Sequence, residues 1–219
     1  MTEAGKRNLG LLVVRMGPTA PDEEEFNAWY DFEHLPQRLA IPGFVSGERY
    51  VCLQGSPKYV AIYDLADTGV ITGREYLAEA GQHFTPWSKR MLARVGSVWT
   101  RLDLEQIYPG TLQRRPGWSG AALYEFGEVD AESLVRCAEQ IDATEPLIQA
   151  RAFTGVFNID KPAALLMLEA PAWRLLPTWS GAQLSERLGP VAAALRSYHL
   201  YTKYWRSDII GTLIRPEHP

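Results

Sequence analysis

Residues 9–16 are apolar almost without a break and end at Gly17-Pro18, the pattern of a buried strand closed by a turn. Pro21 and the acidic run Asp22-Glu23-Glu24-Glu25 predict a helix start. Proline is tolerated in a first helical turn, and acids are favoured at the positive end of the helix dipole. The helix is expected to span 21–39, ahead of Pro42-Gly43, with Pro36 kinking or breaking its last turn. Residues 44–53 and 58–65 read as two strands joined by the turn Gln54-Gly55-Ser56-Pro57. In the second of them Tyr59, Ala61 and Tyr63 share one face, and Val60, Ile62 and Asp64 the other. Helical stretches over 70–79 and 86–94 and a strand over 96–108 complete the order β-α-β-β-α-β.

After a Pro- and Gly-punctuated segment the order recurs. A strand over 119–126 leads to a helix over 131–141 with Asp130 as its N-cap. Extended chain over 146–159, a turn at 160–162 and a strand over 163–170 follow. Helices over 181–188 and 191–196, split by Gly189-Pro190, and a strand over 198–210 close the unit. The repeat lies in the order of elements, not in residue identity. The expected organisation is a first repeat over 1–110, a linker over 111–117 and a second, degenerate repeat over 118–219.

One βαββαβ unit leaves an apolar sheet face uncovered, and two units on one chain can cover it for each other. The predicted fold is therefore α+β: two tandem ferredoxin-like repeats packed sheet-to-sheet as an intrachain α/β barrel. A homodimer of such barrels stays open.

Composition narrows the function classes. A net charge of -4 leaves no basic surplus for phosphate neutralisation, which argues against nucleic acid. Cys52 and Cys137 are too few for a disulfide framework, so a reducing compartment is expected. The apolar run 9–14 is too short for a signal core or a membrane span. The reading is a cytoplasmic protein whose partner is a small molecule, without nucleic acid or membrane.

The candidate chemistry centres on His34. Tyr30 and His34 stand four residues apart, so on a helix they meet on one face, and Asn27 lies a turn before Tyr30. Such a pair suits proton transfer: His34 as general acid or base, Tyr30 as donor to a carbonyl oxygen gaining charge. The alternative is that His34 caps or packs the helix end. Arg38 and Arg49 can hold an anion through paired N–H groups. If their face lines the barrel, Tyr59 and Tyr63 point into the pocket. Trp87 and His199 are further candidates, and His83 is a candidate lid residue. Glu33 is expected in solvent and Trp29 in the packing. In the last strand His199, Tyr201, Lys203 and Trp205 share a face of undetermined direction.

No His-x-x-x-His pair or comparable metal-ligand spacing occurs, and no metal is expected. Gly-rich phosphate loops and Gly-x-Ser-x-Gly elbows are also missing.

The stretch from Glu25 through Trp29-Tyr30-Asp31-Phe32-Glu33-His34-Leu35-Pro36 to Pro42-Gly43-Phe44 resembles the first helix of the dimeric α/β barrel superfamily, in particular its EthD-like members. Arg49-Tyr50 and Thr85-Pro86-Trp87 fit the same pattern, and the likeness covers the first half of the chain only. The resemblance implies a small-molecule cleft between helices and sheet or inside the barrel. It also brings in a range of chemistries, from cofactor-free cyclases, isomerases and quinone-forming monooxygenases to haem enzymes. The expected function is a cofactor-independent enzyme doing acid/base chemistry (cyclisation, isomerisation or a lyase step) on an aromatic or polyketide-like carbonyl compound. The alternatives are a non-catalytic binder of a hydrophobic ligand and a haem- or oxygen-using monooxygenase, with His34 or His199 as axial ligand if haem is bound.

Overall fold

The structure, a computed structural model, describes residues 9–95, 99–110, 115, 117–156 and 164–204. The first half supplies strands β1 (Gly10–Met16), β2 (Phe44–Gln54), β3 (Tyr59–Leu65) and β4 (Trp99–Tyr108). The second supplies β5 (Gly120–Phe126), β6 (Gln149–Gly155), β7 (Ala164–Ala170) and β8 (Leu195–Lys203). The helices are α1 (Glu23–Trp29), α2 (Leu35–Leu39), α3 (Arg74–Leu77), α4 (Pro86–Val95), α5 (Ala131–Thr144) and α6 (Ala182–Leu188). Among the described residues no helix is long and apolar enough to cross a membrane.

The strands form one closed antiparallel barrel in the order β1-β3-β2-β8-β5-β7-β6-β4. Each half keeps the ferredoxin-like order fourth-first-third-second. The halves do more than stack: their edge strands hydrogen-bond, β2 to β8 and β4 to β6, so no sheet edge stays open. Both seams carry a register shift, at Cys52/Gln54 and Gln106/Tyr108, which adds the local twist that closure needs.

Closure gives every strand an inner and an outer face. The inner face is filled from all eight strands, among them Leu11, Tyr50, Ile62, Leu104, Leu123, Phe153, Met167 and Tyr201. An eight-stranded barrel is just wide enough for side chains to fill it. The bore is thus core, and of the two expected cleft positions only the one between helices and sheet remains. Helices cover the outer face in two separate layers. In the first half Phe26, Trp29 and Met91 pack on Leu12, Ala61 and Tyr63; in the second Leu134, Ala138 and Leu188 pack on Ala122, Tyr124 and Leu166. Because both faces are covered, every residue of β3, β5 and β7 is buried. Continuous apolar runs follow from that double covering.

Two ion-paired groups cross the bore. Arg15 on β1 meets Glu125 on β5, four strands away around the ring. Arg151 on β6 reaches Asp64 on β3 at 2.5 Å, Glu169 on β7 at 3.4 Å and Gln106 on β4 at 2.8 Å. These groups expose a repeat in where glycine and charged residues stand as well as in element order. Gly10 and Gly120 both open the first strand of a half, and Arg15 and Glu125 are each its sixth residue. Asp64 and Glu169 are each the sixth residue of the third strand.

The two glycines share a packing reason. A Cβ at Gly10 lies 3.0 Å from the Asp67 backbone, and one at Gly120 lies 2.6 Å from the backbone of Trp173. Both loops follow the third strand of their half. Gly120→Ala should therefore destabilise by about 1–3 kcal/mol through overpacking. Gly110→Ala, whose Cβ meets nothing within 4 Å, should stay within about 0.5 kcal/mol. Urea midpoints of the two variants check this.

Several expected elements differ in detail. The first long helix is divided, as described below. The stretch 70–79 shrinks to a 3-10 turn, Thr68–Thr72, and the one-turn helix α3, because Gly73 is extended between them. Helix α5 runs to Thr144, with Asp130 capping the Ser133 amide at 2.8 Å. Residues 189–194 form a 3-10 helix, since Gly189 at φ +56° ends α6. The start of the expected strand 96–108, most of the linker, the turn at 160–162 and the end of the last strand lie outside the described residues.

Candidate functional site

The helix carrying Tyr30 and His34 is not regular. Between α1 and α2, Tyr30–His34 form a π-helical turn, and the Leu35 amide bonds the Tyr30 carbonyl. Pro36 supplies the reason. It has no N–H, and its ring crowds the carbonyl four residues back. Widening the preceding turn by one residue relieves that clash while the helix continues. Such π-turns often mark functional sites.

The wide turn packs rings against one another. His34 lies 4.5 Å from the Trp29 ring and 5.0 Å edge-on from Tyr30, both between centroids. Trp29 Nε1 donates to Ser88 Oγ at 3.0 Å, and Ser88 Oγ and Thr85 Oγ1 both donate to Glu33 at 3.0 and 2.5 Å. Glu33 is therefore not solvated as expected. It ties the helix to the start of α4, because the π-turn rotates it toward Thr85 and Ser88.

Arg49 and Asn27 form the adjacent cluster. Arg49 is 1% exposed and donates to Asp31 and, at 2.7 Å, to Asn27 Oδ1. Its guanidinium sits 4.5 Å from the Tyr30 and Tyr204 ring centroids and 5.4 Å from that of Tyr59. The cation is thus neutralised by Asp31 inside an aromatic cage. Sequence reasoning passed over Asp31, although it stands four residues after Asn27 on the same helical side.

Tyr59 and Tyr63 face the helices, not the bore; Val60, Ile62 and Asp64 face inward. Their hydroxyls have partners. Tyr59 donates to Glu23 at 2.5 Å and accepts from Asn27 at 3.1 Å, and the Tyr30 and Tyr63 hydroxyls lie 3.2 Å apart. Burial pushes the Tyr30 and Tyr63 phenols above their usual range, so both keep their protons at neutral pH. Tyr63 also packs closely on β2, where a Cβ at Gly47 would come within 2.6 Å of its ring.

His34 is 8% exposed, and its Nδ1 is buried without a hydrogen-bond partner. Burial, helped by the Arg38 and Arg49 cations, pulls its pKa down to about 3. The ring is neutral at any physiological pH. Arg38 is 3% exposed, bonds the Glu79 carbonyl at 2.5 Å and lies over Tyr76 at 5.4 Å. The chain after α3 covers this cluster: Phe84 stands 6.4 Å from His34. His83 is exposed on that cover beside Gln82.

Of the expected site residues, Tyr30, His34 and Tyr63 come together, with Asn27, Arg49 and Tyr59 as the neighbouring cluster. Trp87 is half-buried at the rim and donates to Glu25 at 3.2 Å. His199 stands apart. It points into the bore with Tyr201, its Nε2 3.8 Å from Glu125 and its ring against Gly55. Burial and the Arg15 cation lower its pKa to about 4.

Both imidazoles link stability to pH. An unfolded histidine takes up a proton near pH 6.5, but these two do not until about pH 3 and 4. Their contribution is complete above pH 6.5 and is lost as pH falls below it. Each should cost roughly 1.4 kcal/mol per pH unit over that window. His34→Gln should remove one proton from the slope of urea stability against pH between 6 and 4.

No known family pattern and no curated protein matches the sequence. Solved structures do match. An anthrone oxidase-like protein aligns over 92% of this chain and 93% of its own, with a TM-score of 0.58 and 13% identity. A candidate monooxygenase from Lactobacillus acidophilus aligns over 90% and 94%, with a TM-score of 0.53 and 15% identity. A haem-binding protein from Thermus thermophilus aligns over 94% and 95%, with a TM-score of 0.54 and 10% identity. At these identities the likeness shows the fold alone: the dimeric α/β barrel, here completed within one chain.

Haem held by a histidine does not suit the described residues. Such an axial ligand must present a ring nitrogen to a broad slot. His34 is held between Trp29 and Tyr30, His199 is packed in the bore and His83 lies on the surface; His218 is outside the described residues. The second-half layer is packed with Leu134, Ala138, Ile141 and Leu188 and presents no histidine among its described residues.

Proposed function

We propose that this chain is an oxygen-using enzyme of monooxygenase type, acting on a small aromatic carbonyl compound in the first-half layer beside His34. One observation carries the reading. A neutral, buried imidazole with an unpartnered Nδ1 stands edge-on to Tyr30, whose hydroxyl pairs with that of Tyr63. An orphaned buried polar atom calls for a partner, and here a proton acceptor and two phenols belong to one packed layer. The structural neighbours described as a monooxygenase and as anthrone oxidase-like support oxygen use over the non-oxidative cyclase, isomerase or lyase reading.

The chemistry needs no resident redox group if the substrate carries an acidic CH₂ between aromatic rings. His34 takes one proton, and the negative charge spreads onto the substrate carbonyl oxygen. The hydroxyl of the Tyr30–Tyr63 pair that is not donating to the other donates to that oxygen, where a preorganised donor acts most strongly on developing charge. The carbanion reduces dioxygen and forms a C–O bond. Loss of the second C–H and cleavage of O–O then release water. The balance is Ar₂CH₂ + O₂ → Ar₂C=O + H₂O. A base this weak favours a substrate already acidified by conjugation.

The test is oxygen uptake with anthrone as probe. The expected result is one O₂ consumed per anthrone oxidised to anthraquinone, without hydrogen peroxide accumulating and without added haem. Uptake no faster than in buffer, or uptake strictly dependent on added haem, would overturn the proposal.

A further inference from the structure

Arg38 and Arg49 are both buried in the first-half layer, but their charges are handled differently. Arg49 has a carboxylate, Asp31. Arg38 has none: among the described residues its hydrogen-bond partner is the neutral Glu79 carbonyl, and its Nε is buried without a partner. Tyr76 stacks on it but brings no charge. A buried cation without a counter-charge is costly. That arrangement persists most readily where something else supplies the anion. His34 Nδ1 is also unpartnered in this layer, and both lie beneath the cover formed by Glu79 and Phe84.

We infer that the ligand of this layer is an anion: an aromatic compound with a carboxylate or equivalent acidic oxygen that pairs with Arg38 while the rest of it lies against His34 and Tyr30. Arg38 is a specificity-determining residue in this inference, which rests on the reading of the layer as the ligand site. A carboxylate in place of the uncharged Glu79 carbonyl adds the opposite charge and can accept two parallel N–H bonds. The Glu79 carbonyl is displaced or shared when the anion enters, so binding opens and recloses the segment after α3.

The experiment compares 2-naphthoate with 2-naphthamide, which have the same rings and nearly the same shape but differ in charge. Affinities are measured by calorimetry on the full chain. Occupancy of the layer is read from the His34 Cε1–H NMR signal, assignable with His34→Gln because the chain has four histidines. The expected result is that 2-naphthoate binds at least about tenfold tighter than the amide and shifts the His34 signal. In Arg38→Met, with thermal unfolding confirming the fold, the preference should fall to about twofold or less while Arg38→Lys keeps part of it. Equal affinities with the His34 signal shifted overturn this inference and leave the layer as the ligand site. Failure of both ligands to move the signal overturns the inference and counts against that site as well. An intact preference in Arg38→Met also overturns it.

Discussion

Arg151→Met is expected to cost the fold about 3–5 kcal/mol, a large share of the roughly 5–15 kcal/mol that holds an ordinary domain together. The side chain is fully buried and serves three strands of both halves: β3 through Asp64, β4 through Gln106 and β7 through Glu169. Its removal leaves two buried carboxylates facing each other across the bore. The penalty is their desolvation and not the worth of the lost pair, because a buried ion pair replaced whole by apolar groups is often neutral. The triple change Arg151→Met, Asp64→Leu, Glu169→Leu should therefore recover most of the loss. Urea unfolding of both variants measures this. A single change costing under about 1 kcal/mol, or a triple variant no better than the single, would mean that the bore is wetter and less coupled than described.

The barrel was legible from two kinds of signal. Strand-length apolar runs such as 9–16 and 119–126, each closed by turn residues, give the elements, and their doubled order gives the pairing of halves. The order alone does not show that closure occurs by edge pairing of β2 with β8 and β4 with β6, since register between distant strands leaves no local mark. The internal repeat was also written in equivalent placement of glycine and charged residues, at Gly10/Gly120, Arg15/Glu125 and Asp64/Glu169. It is hard to see because opposite charges occupy equivalent places: Arg15 and Glu125 complement each other only once they meet across the bore.

The site was partly legible. The Tyr30–His34 spacing correctly placed two rings together, but helical spacing cannot reveal a π-turn, which depends on how Pro36 is accommodated. Glu33 looked solvent-facing because the extra residue in that turn changes which side it points to. The direction of Tyr59 and Tyr63 was ambiguous for a general reason: when both faces of a strand are buried, alternation no longer tells inside from outside. Arg38 and Arg49 were equivalent on sequence; in space Asp31 gives Arg49 the counter-charge that Arg38 lacks.

The second large effect concerns turnover. His34→Gln keeps a polar side chain of similar size and removes the proton acceptor, so kcat/KM for the oxidised substrate should fall by about 10²–10⁴. The pH profile adds a check that a structural role does not predict. The free-enzyme profile of kcat/KM reports the base before substrate binds. With its pKa near 3, His34 is unprotonated throughout pH 5–8 and contributes no acidic limb there. An exposed histidine would lose most of its active form over the same range as pH falls through 6.5. A wild-type acidic limb near 6.5 that disappears in His34→Gln would place the imidazole in water and not in the layer. Full turnover in the variant would remove His34 from the chemistry.

The account depends on where a ligand sits: beside His34 under the segment after α3, where Glu79 and Phe84 form the cover, with the bore too full to admit one. A crystal structure of the chain soaked with anthraquinone, the product of the proposed reaction, addresses this directly. The predicted result is ring density beside His34, with a quinone oxygen within hydrogen-bond distance of the Tyr30 or Tyr63 hydroxyl and the Arg15–Glu125 and Arg151–Asp64 pairs undisturbed. Density inside the barrel between those pairs, or under α5 in the second half, would contradict it.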